Sequence, residues 1–110
     1  PDYTMNKQQQ TEGQKRVRVS FNPSALKRVE DFKQKMADAI DALNDVATSV
    51  KESPKELVNP DDFGDFMREV STAKTQLQIA SMCGVAALTH DMAFKYLPSE
   101  VKDIPQSPNE

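Results

Sequence analysis

Apolar side chains recur at steps of three and four along two long stretches of this chain. In the first stretch they fall at Leu26, Val29, Phe32 or Lys33, Met36, Ile40, Leu43, Ala47 and Val50. This spacing places them on one face of an α-helix. Asn22-Pro23 precedes the stretch; Asn is a favourable N-cap, and Pro is favoured at the first helical position. We therefore predict a first helix from about Pro23 to about Ser49.

The second stretch shows the same periodicity after a similar start signal. Its apolar or small residues fall at Phe63, Phe66, Val70, Ala73, Leu77, Ala80, Gly84 and Ala87. Asn59-Pro60 precedes them, and two aspartates follow in the first turn, where the helix dipole favours negative charge. We predict a second helix from about Pro60 to Thr89. The connection is short and marked by prolines, so the predicted fold is all-α, an antiparallel two-helix hairpin.

The two ends of the chain differ in composition from this predicted hairpin domain, residues 16–92. Residues 1–15, "PDYTMNKQQQTEGQK", are polar and are predicted to form a flexible arm. Residues 1–4 precede a methionine, and we interpret them as a cloning remnant. Residues 93–110 contain three prolines after residue 97, which predicts a tail with a short helical turn near Met92–Leu97 and no further order.

The end of the second helix carries more apolar surface than one partner helix can cover. In "LQIASMCGVAALT" the predicted seam uses Ala80, Gly84 and Ala87. Five larger apolar residues then point elsewhere: Ile79, Met82, Cys83, Val85 and Leu88. Exposed apolar patches of this kind usually mark an interface. We predict a homo-oligomer with the second helix at its centre; the alternative is a tail that folds back over this face.

Composition and isolated reactive residues narrow the classes of function. The 110-residue chain has a net charge of −3, no Trp and a single Cys, which excludes an internal disulfide and fits a reducing compartment. No apolar run approaches the ~18–20 residues that span a bilayer, so we expect a soluble intracellular protein. His90 has no second His to share a metal, and Cys83 has no neighbouring base. We predict no catalytic set, no metal and no cofactor.

Basic residues are concentrated at the start of the first helix. Seven of the fourteen lie between residues 15 and 35, at Lys15, Arg16, Arg18, Lys27, Arg28, Lys33 and Lys35. Together with Asn22, Ser24 and the Lys74-Thr75 pair, these side chains suit a phosphate. Phe21 would either staple the helix entry or stack on a base. A solvated basic end remains the alternative, and the negative net charge disfavours extended DNA as a partner.

Two segments resemble a known family. "RVRVSFNPSALKRVEDFKQKMADAIDAL" and "REVSTAKTQLQIASMCGVAAL" resemble the phage hairpin-domain family that includes the anti-CBASS cyclic-oligonucleotide sponge and the Thoeris anti-defence sponge. The shared pattern is an Arg-rich lead, Phe-Asn-Pro-Ser, a Lys and an Ile-Asp pair, then Ala-x-Thr-x-Leu-x-x-Ala-x-Met-x-x-Val-x-Ala-x-Thr. It covers about Arg16–Asp45 and Met67–Thr89, roughly half of the chain.

The resemblance implies a binding protein and not an enzyme. Such proteins assemble as dimers and then hexamers in the cytoplasm of the infected bacterium. They sequester cyclic dinucleotides of the cyclic GMP-AMP type, and in some members cyclic trinucleotides or cyclic ADP-ribose isomers, without cleaving them. Lys33 matches a Lys that contacts the dinucleotide phosphates. Lys74 and Thr75 match an Arg-Thr pair whose Arg meets trinucleotide phosphates at a separate site in the family; here the residue is Lys, a point charge and not a bidentate fork.

Other parts of the chain depart from the family, and a second function stays open. Phe21 is the first choice for the family's base-stacking aromatic residue and Tyr3 the second, while Arg16 and Arg18 would help to fix phosphates between protomers. The connection between the helices is longer than the family's, and the tail after Leu97 has no counterpart. The alternative function is an oligomeric helical protein whose basic end binds a partner protein or nucleic acid.

Overall fold

The computed structural model describes residues 9–96, and this part of the chain contains helices and no strand. A short helix α1 spans Glu12–Arg16, followed by the long helix α2, Lys27–Lys51. A 3₁₀ turn at Lys55–Leu57 leads to the long helix α3, Pro60–Leu88, and then to α4, Asp91–Tyr96. The all-α class is therefore confirmed. The interpretations of residues 1–4, of Tyr3 and of the tail from residue 97 onwards lie outside the described residues.

The predicted start of the first long helix is wrong by about one turn. The helix begins at Lys27, and its N-cap is Leu26, which makes no side-chain capping bond. Asn22 instead opens a turn, in which its carbonyl accepts a hydrogen bond from the Ala25 N–H at 3.0 Å. Ala25 has a φ of 57°, in the left-handed region that a helix cannot contain. Asn-Pro is a signal for turns as well as for helix starts, and here the turn forms.

The second long helix begins where the sequence predicts. Asn59 is its N-cap, and the Asn59 Oδ1 accepts hydrogen bonds from the Asp61 N–H at 2.9 Å and the Asp62 N–H at 3.1 Å. Pro60 occupies the first helical position, and the helix ends at Leu88, within one residue of the predicted end. The short helix α4 matches the helical turn expected near Met92.

The flexible arm predicted for residues 1–15 is wrong for residues 12–15, which belong to α1. Thr11 and Gln14 form a capping box, with the Thr11 hydroxyl accepting from the Gln14 N–H and the Gln14 amide oxygen accepting from the Thr11 N–H. Gly13 is buried, and its N–H donates to Asp41 Oδ1 at 2.8 Å. A Cβ at this position would overlap the Ala37 carbonyl oxygen. The backbone of α1 therefore packs directly on α2, a contact that polar composition did not indicate.

The first turns of α2 lie beside the last turns of α3. Arg28 Nε donates to the Leu88 carbonyl at 2.9 Å, and the Phe32 ring fills the space beside Gly84. Val17, Ala37 and Ile40 form the small core, with Val19, Met36 and Leu77 packed against it. Val17 comes from the loop after α1, so the core joins that loop to both long helices.

The predicted seam of α3 is correct in its first half and shifted in its second. The partly or fully buried positions run from Phe63 to Leu77 as expected and continue at Ser81, Gly84 and Leu88. Ala80 and Ala87 are exposed instead. The seam steps by four after Leu77, so a small serine that is 2% exposed takes the place predicted for an alanine.

This shift changes which apolar residues point away from α2. Ile79, Met82 and Cys83 are exposed as predicted, with Ile79 50% and Met82 67% exposed. Val85 and Leu88 are partly buried, so the prediction is wrong for these two. An apolar surface remains on the second half of α3, formed by Ile79, Ala80, Met82, Cys83, Ala86 and Ala87. We refer to these six residues as the α3 apolar surface.

Candidate functional site

A basic cleft lies where α1, the loop of residues 17–26, α2 and α3 meet. Its volume is about 370 Å³. The lining residues are Arg16, Val17, Arg18, Phe21, Lys33, Gln78, Ser81, Met82 and Val85. Three of these side chains are cations, and within the described part of the chain no acidic residue joins them. The cleft therefore combines positive charge, one aromatic ring and aliphatic surface.

Lys33 supports the floor of this cleft. Its ammonium group donates to the Arg18 carbonyl at 3.1 Å and also to the Phe21 carbonyl, so it links α2 to two points of the loop. The residue is only 6% exposed. Burial, and secondarily the Arg18 charge, lowers the pKa of Lys33. Lys33 thus faces the cleft while two of its three N–H groups hold the loop backbone.

Arg18 and Phe21 form the exposed wall of the cleft. The Arg18 guanidinium carbon lies 4.4 Å from the centroid of the Phe21 ring, within the range of a cation–π contact. Arg18 has a φ of 57°, so the loop backbone takes a left-handed step at this residue. Phe21 is 50% exposed, and the Lys33 ammonium lies 5.6 Å from its ring centroid. A flat apolar surface and two cations are therefore presented side by side.

Arg16 lines the cleft from the end of α1. Its Nε donates to Glu12 Oε2 at 2.7 Å, and its Nη1 donates to Gln78 Oε1 at 3.0 Å. An arginine has five N–H groups, so three lie outside these two bonds. Glu12 is on α1, like Arg16 itself, and Gln78 is on α3. The guanidinium group of Arg16 is therefore held by side chains from two helices.

The structure brings together four of the eight side chains predicted as ligands: Arg16, Arg18, Phe21 and Lys33. Asn22 and Ser24 serve the turn, since the Ser24 hydroxyl donates to Asn22 Oδ1 at 2.6 Å and the Asn22 amide donates to the Leu26 carbonyl at 3.1 Å. Neither lines the cleft.

Lys74 and Thr75 also lie outside the cleft. The Lys74 ammonium contacts the Glu12 carboxylate at 3.2 and 3.3 Å and Asn44 Oδ1 at 2.9 Å, which commits it to an internal network. Thr75 is exposed and is not among the cleft residues.

Sequence reasoning missed the wall that α3 contributes. Gln78, Ser81, Met82 and Val85 line the cleft, and Met82 and Val85 had been assigned only to an outward face. The available signal was their spacing: starting from Lys74, steps of four, three and four reach residues 78, 81 and 85 on one side of a helix. Val17 was missed because it lies before residue 23, where the predicted first helix begins. Nothing in the sequence indicated that this loop packs against the long helices.

A second groove lies at the far end of the long helices. It measures about 330 Å³ and is lined by Val50, Lys51, Ser53, Lys55, Val58, Pro60 and Phe63. Four of these residues are partly buried, Val50, Ser53, Val58 and Phe63, and the cations of the lining are the two exposed lysines, Lys51 and Lys55. The cleft at the α1 end is the better candidate for a charged ligand because three cations line it and two of them, Arg18 and Lys33, lie beside an exposed ring.

Other kinds of site find little support in the described residues. Between residues 9 and 96 no group of three or more His, Cys, Asp or Glu side chains is arranged to hold a metal ion. Within the same range no helix has the length and apolar character needed to cross a membrane.

Comparisons of the chain with protein-family models, with curated proteins and with solved structures found no match. The fold and cleft thus define a small all-α protein with a basic, aromatic-walled site.

Proposed function

We propose that this protein binds cyclic oligonucleotide immune signals, above all cyclic dinucleotides of the cyclic GMP-AMP type, and sequesters them without cleavage. By this proposal it acts in the cytoplasm of an infected bacterium and deprives CBASS-type or Thoeris-type effectors of their activator. The resemblance to the phage hairpin-domain family suggests this function. The observation that carries it is the cleft lined by Arg16, Arg18 and Lys33, in which Arg18 and Lys33 lie beside the exposed ring of Phe21.

The phosphates and bases of such a ligand correspond to the cationic, aromatic and aliphatic side chains that line the cleft. A cyclic dinucleotide presents two phosphates and two bases on one compact ring. Arginine pairs with phosphate oxygens through parallel N–H groups, and Arg16 retains three N–H groups for this purpose. A base stacked on an aromatic side chain is worth about 1–3 kcal/mol. Phe21 offers such a ring, and Met82 and Val85 add aliphatic surface to the same cleft.

The size of the cleft favours a site completed by a second copy. Small-molecule sites range over about 300–1,000 Å³, and 370 Å³ is near the lower limit. A ring of two nucleotides would therefore leave part of its surface outside this cleft. Met82 both lines the cleft and belongs to the α3 apolar surface. A second chain packed on that surface would border the cleft directly.

The proposal accordingly includes the assembly of the chain. We propose that α2 and α3 act as an antiparallel hairpin and that hairpins associate through the α3 apolar surface into a homo-oligomer, a hexamer by resemblance. Ile79→Glu places a charge in the middle of this surface and should yield monomers by light scattering, whereas Glu69→Gln on the same helix should not. A monomeric wild-type protein would contradict the assembly.

Ligand binding is tested with a panel. Cyclic GMP-AMP, other cyclic dinucleotides, cyclic trinucleotides and cyclic ADP-ribose isomers would be compared with linear dinucleotides and a short single-stranded DNA by thermal shift. A ligand present at one hundred times its Kd stabilises the folded state by about 2.7 kcal/mol. Mass spectrometry of ligand released by denaturation should return the cyclic compound intact. A hydrolysed product, or a response to DNA alone, would overturn the proposal.

Matched variants locate the site. Arg18→Ala removes one cleft cation, and Phe21→Ala removes the ring; each should weaken binding about tenfold or more, by loss of a charge-assisted contact or of a stacked base. Arg68→Ala is the control, because Arg68 pairs with Asp65 on an exposed part of α3 outside the cleft. Equal affinities in Arg18→Ala, Phe21→Ala and Arg68→Ala would place the site elsewhere.

A further inference from the structure

Glu12 lies outside the cleft lining and nevertheless joins the elements that build it. Its carboxylate accepts from Arg16 Nε at 2.7 Å within α1 and from Asn44 Nδ2 at 3.0 Å on α2. It also accepts from Lys74 Nζ at 3.2 and 3.3 Å on α3. We propose that Glu12 is a positioning residue that orients the Arg16 guanidinium toward the ligand in the cleft. This inference rests on the function proposed above and names a residue that acts through Arg16.

The geometry of Arg16 explains why a positioning group matters. An arginine side chain has several rotatable bonds and loses conformational entropy when a ligand fixes it. Glu12 holds Nε and Gln78 holds Nη1, so two points of the planar group are fixed before binding. The N–H groups left over include both of Nη2. When the donor group is already ordered in the free protein, less of the binding free energy is lost in ordering it.

Glu12 is itself held more firmly than a surface ion pair. An isolated pair between residues four apart on a helix contributes little. Here Asn44 on α2 and Lys74 on α3 contact the same carboxylate. The position of the Glu12 carboxylate is therefore fixed by the two long helices as well as by Arg16. The hydrogen bond from Arg16, with smaller contributions from Lys74 and Asn44, lowers the pKa of Glu12 to about 2. The carboxylate therefore stays ionised at any pH used for binding.

The same network assigns a role to Lys74. Its side chain is 13% exposed and contacts Glu12 and Asn44. The cation that the resemblance matched to a ligand-binding arginine is thus part of the support for Arg16. Asn44 completes the support by donating to one oxygen of Glu12 and accepting from Lys74.

The substitution Glu12→Gln should change the binding affinity in opposite directions, depending on whether Glu12 acts through its charge or by orienting Arg16. Glu12→Gln removes a negative charge close to a site for an anion, and by charge alone this should strengthen binding. If Glu12 orients Arg16, the same substitution should weaken binding about tenfold, or by about 1.4 kcal/mol. Glu69→Gln makes the same charge change at an exposed position of α3 and should alter affinity less than twofold, since an exposed distant charge is screened.

Two further variants separate orientation from the mere presence of α1. Thr11→Ala removes the capping box but leaves the Glu12–Arg16 pair, so it should weaken binding less than Glu12→Gln. Asn44→Ala changes no charge and touches no cleft residue, yet it loosens Glu12 and should also weaken binding. Asn44→Ala carries the test if circular dichroism shows that Glu12→Gln does not fold.

The experiment measures the affinity for cyclic GMP-AMP by calorimetry, together with the exchange of the Arg16 Nε–H with water by NMR in the ligand-free protein. Slow exchange in the wild type and faster exchange in Glu12→Gln, with weaker binding, would support the inference. Unchanged or tighter binding in Glu12→Gln would overturn it, and so would an equal loss in Thr11→Ala. If the wild type binds no cyclic nucleotide, the proposed function fails. In that case the exchange of the Arg16 Nε–H is the remaining test of whether Glu12 orients Arg16. An exchange rate that is unchanged in Glu12→Gln would then refute this role of Glu12.

Discussion

The same substitution at two glycines of α3 should have different effects on stability. A Cβ on Gly84 would overlap the ring of Phe32, which reaches across from α2. A Cβ on Gly64 would meet no atom within 4 Å. Both glycines lie inside α3, Pro60–Leu88. Gly64→Ala and Gly84→Ala therefore differ chiefly in what the added methyl group touches.

The expected magnitudes follow from helix propensity and packing. Replacing Gly by Ala within a helix stabilises it by about 1 kcal/mol, and Gly64→Ala should show up to this gain. At Gly84 the same gain is opposed by overpacking, which typically costs about 1–3 kcal/mol. We expect Gly84→Ala to be neutral to about 2 kcal/mol less stable than the wild type, because the rigid Phe32 ring has to shift as a unit.

The assay is urea unfolding followed by far-ultraviolet circular dichroism at one fixed protein concentration. In a domain of this size a change of 1 kcal/mol moves the Tm by about 4–8 °C, which thermal melts resolve easily. Phe32→Leu provides the double-mutant cycle: on this smaller background Gly84→Ala should recover the helix-propensity gain. Equal stabilisation by Gly64→Ala and Gly84→Ala in the wild-type background would refute the packing of Phe32 on Gly84.

Two further predictions use the contacts of the shorter elements. Glu12 has its pKa lowered from 4.5 to about 2, so its ionised form contributes stability that is present above pH 4.5 and is lost as the pH falls toward 2. Its side chain is 41% exposed, so solvent screening keeps this contribution near 1 kcal/mol. Acid unfolding of Glu12→Gln should lack this component; identical acid titrations would contradict it. Asn59→Ala should cost about 1 kcal/mol because two amide groups lose their acceptor, and hydrogen exchange of the Asp61 and Asp62 amides should become faster; unchanged exchange at these two amides would contradict the cap.

The sequence was sufficient for the features that local chemistry determines. The start of α3 follows from Asn59 and Pro60, whose side chains act within one turn. The three-and-four spacing of apolar residues gave both long helices and the first half of the α3 seam. These signals depend on neighbours in the chain, so no knowledge of tertiary contacts was needed.

The features that the sequence did not indicate depend on partners distant in the sequence. Glu12 and Lys74 are 62 positions apart, and nothing near either residue indicates that they form a pair. Lys33 was predicted as a phosphate ligand, yet its ammonium also serves carbonyls 12 and 15 positions away. A cation in a sequence has the same appearance whether its partner is a ligand or the protein's own backbone. Only the three-dimensional arrangement separates these roles.

The buried glycine of α1 restricts which codons this protein tolerates. Gly13 meets the Ala37 carbonyl through its own backbone, so no side-chain rotation nearby makes room for a larger residue. In a saturation library selected for folded protein, position 13 should admit glycine alone, while the exposed neighbour Lys15 should accept many alternatives. A single base change at that codon would thus disturb the packing of α1 on α2, and with it the support of Arg16, without altering any residue that lines the cleft.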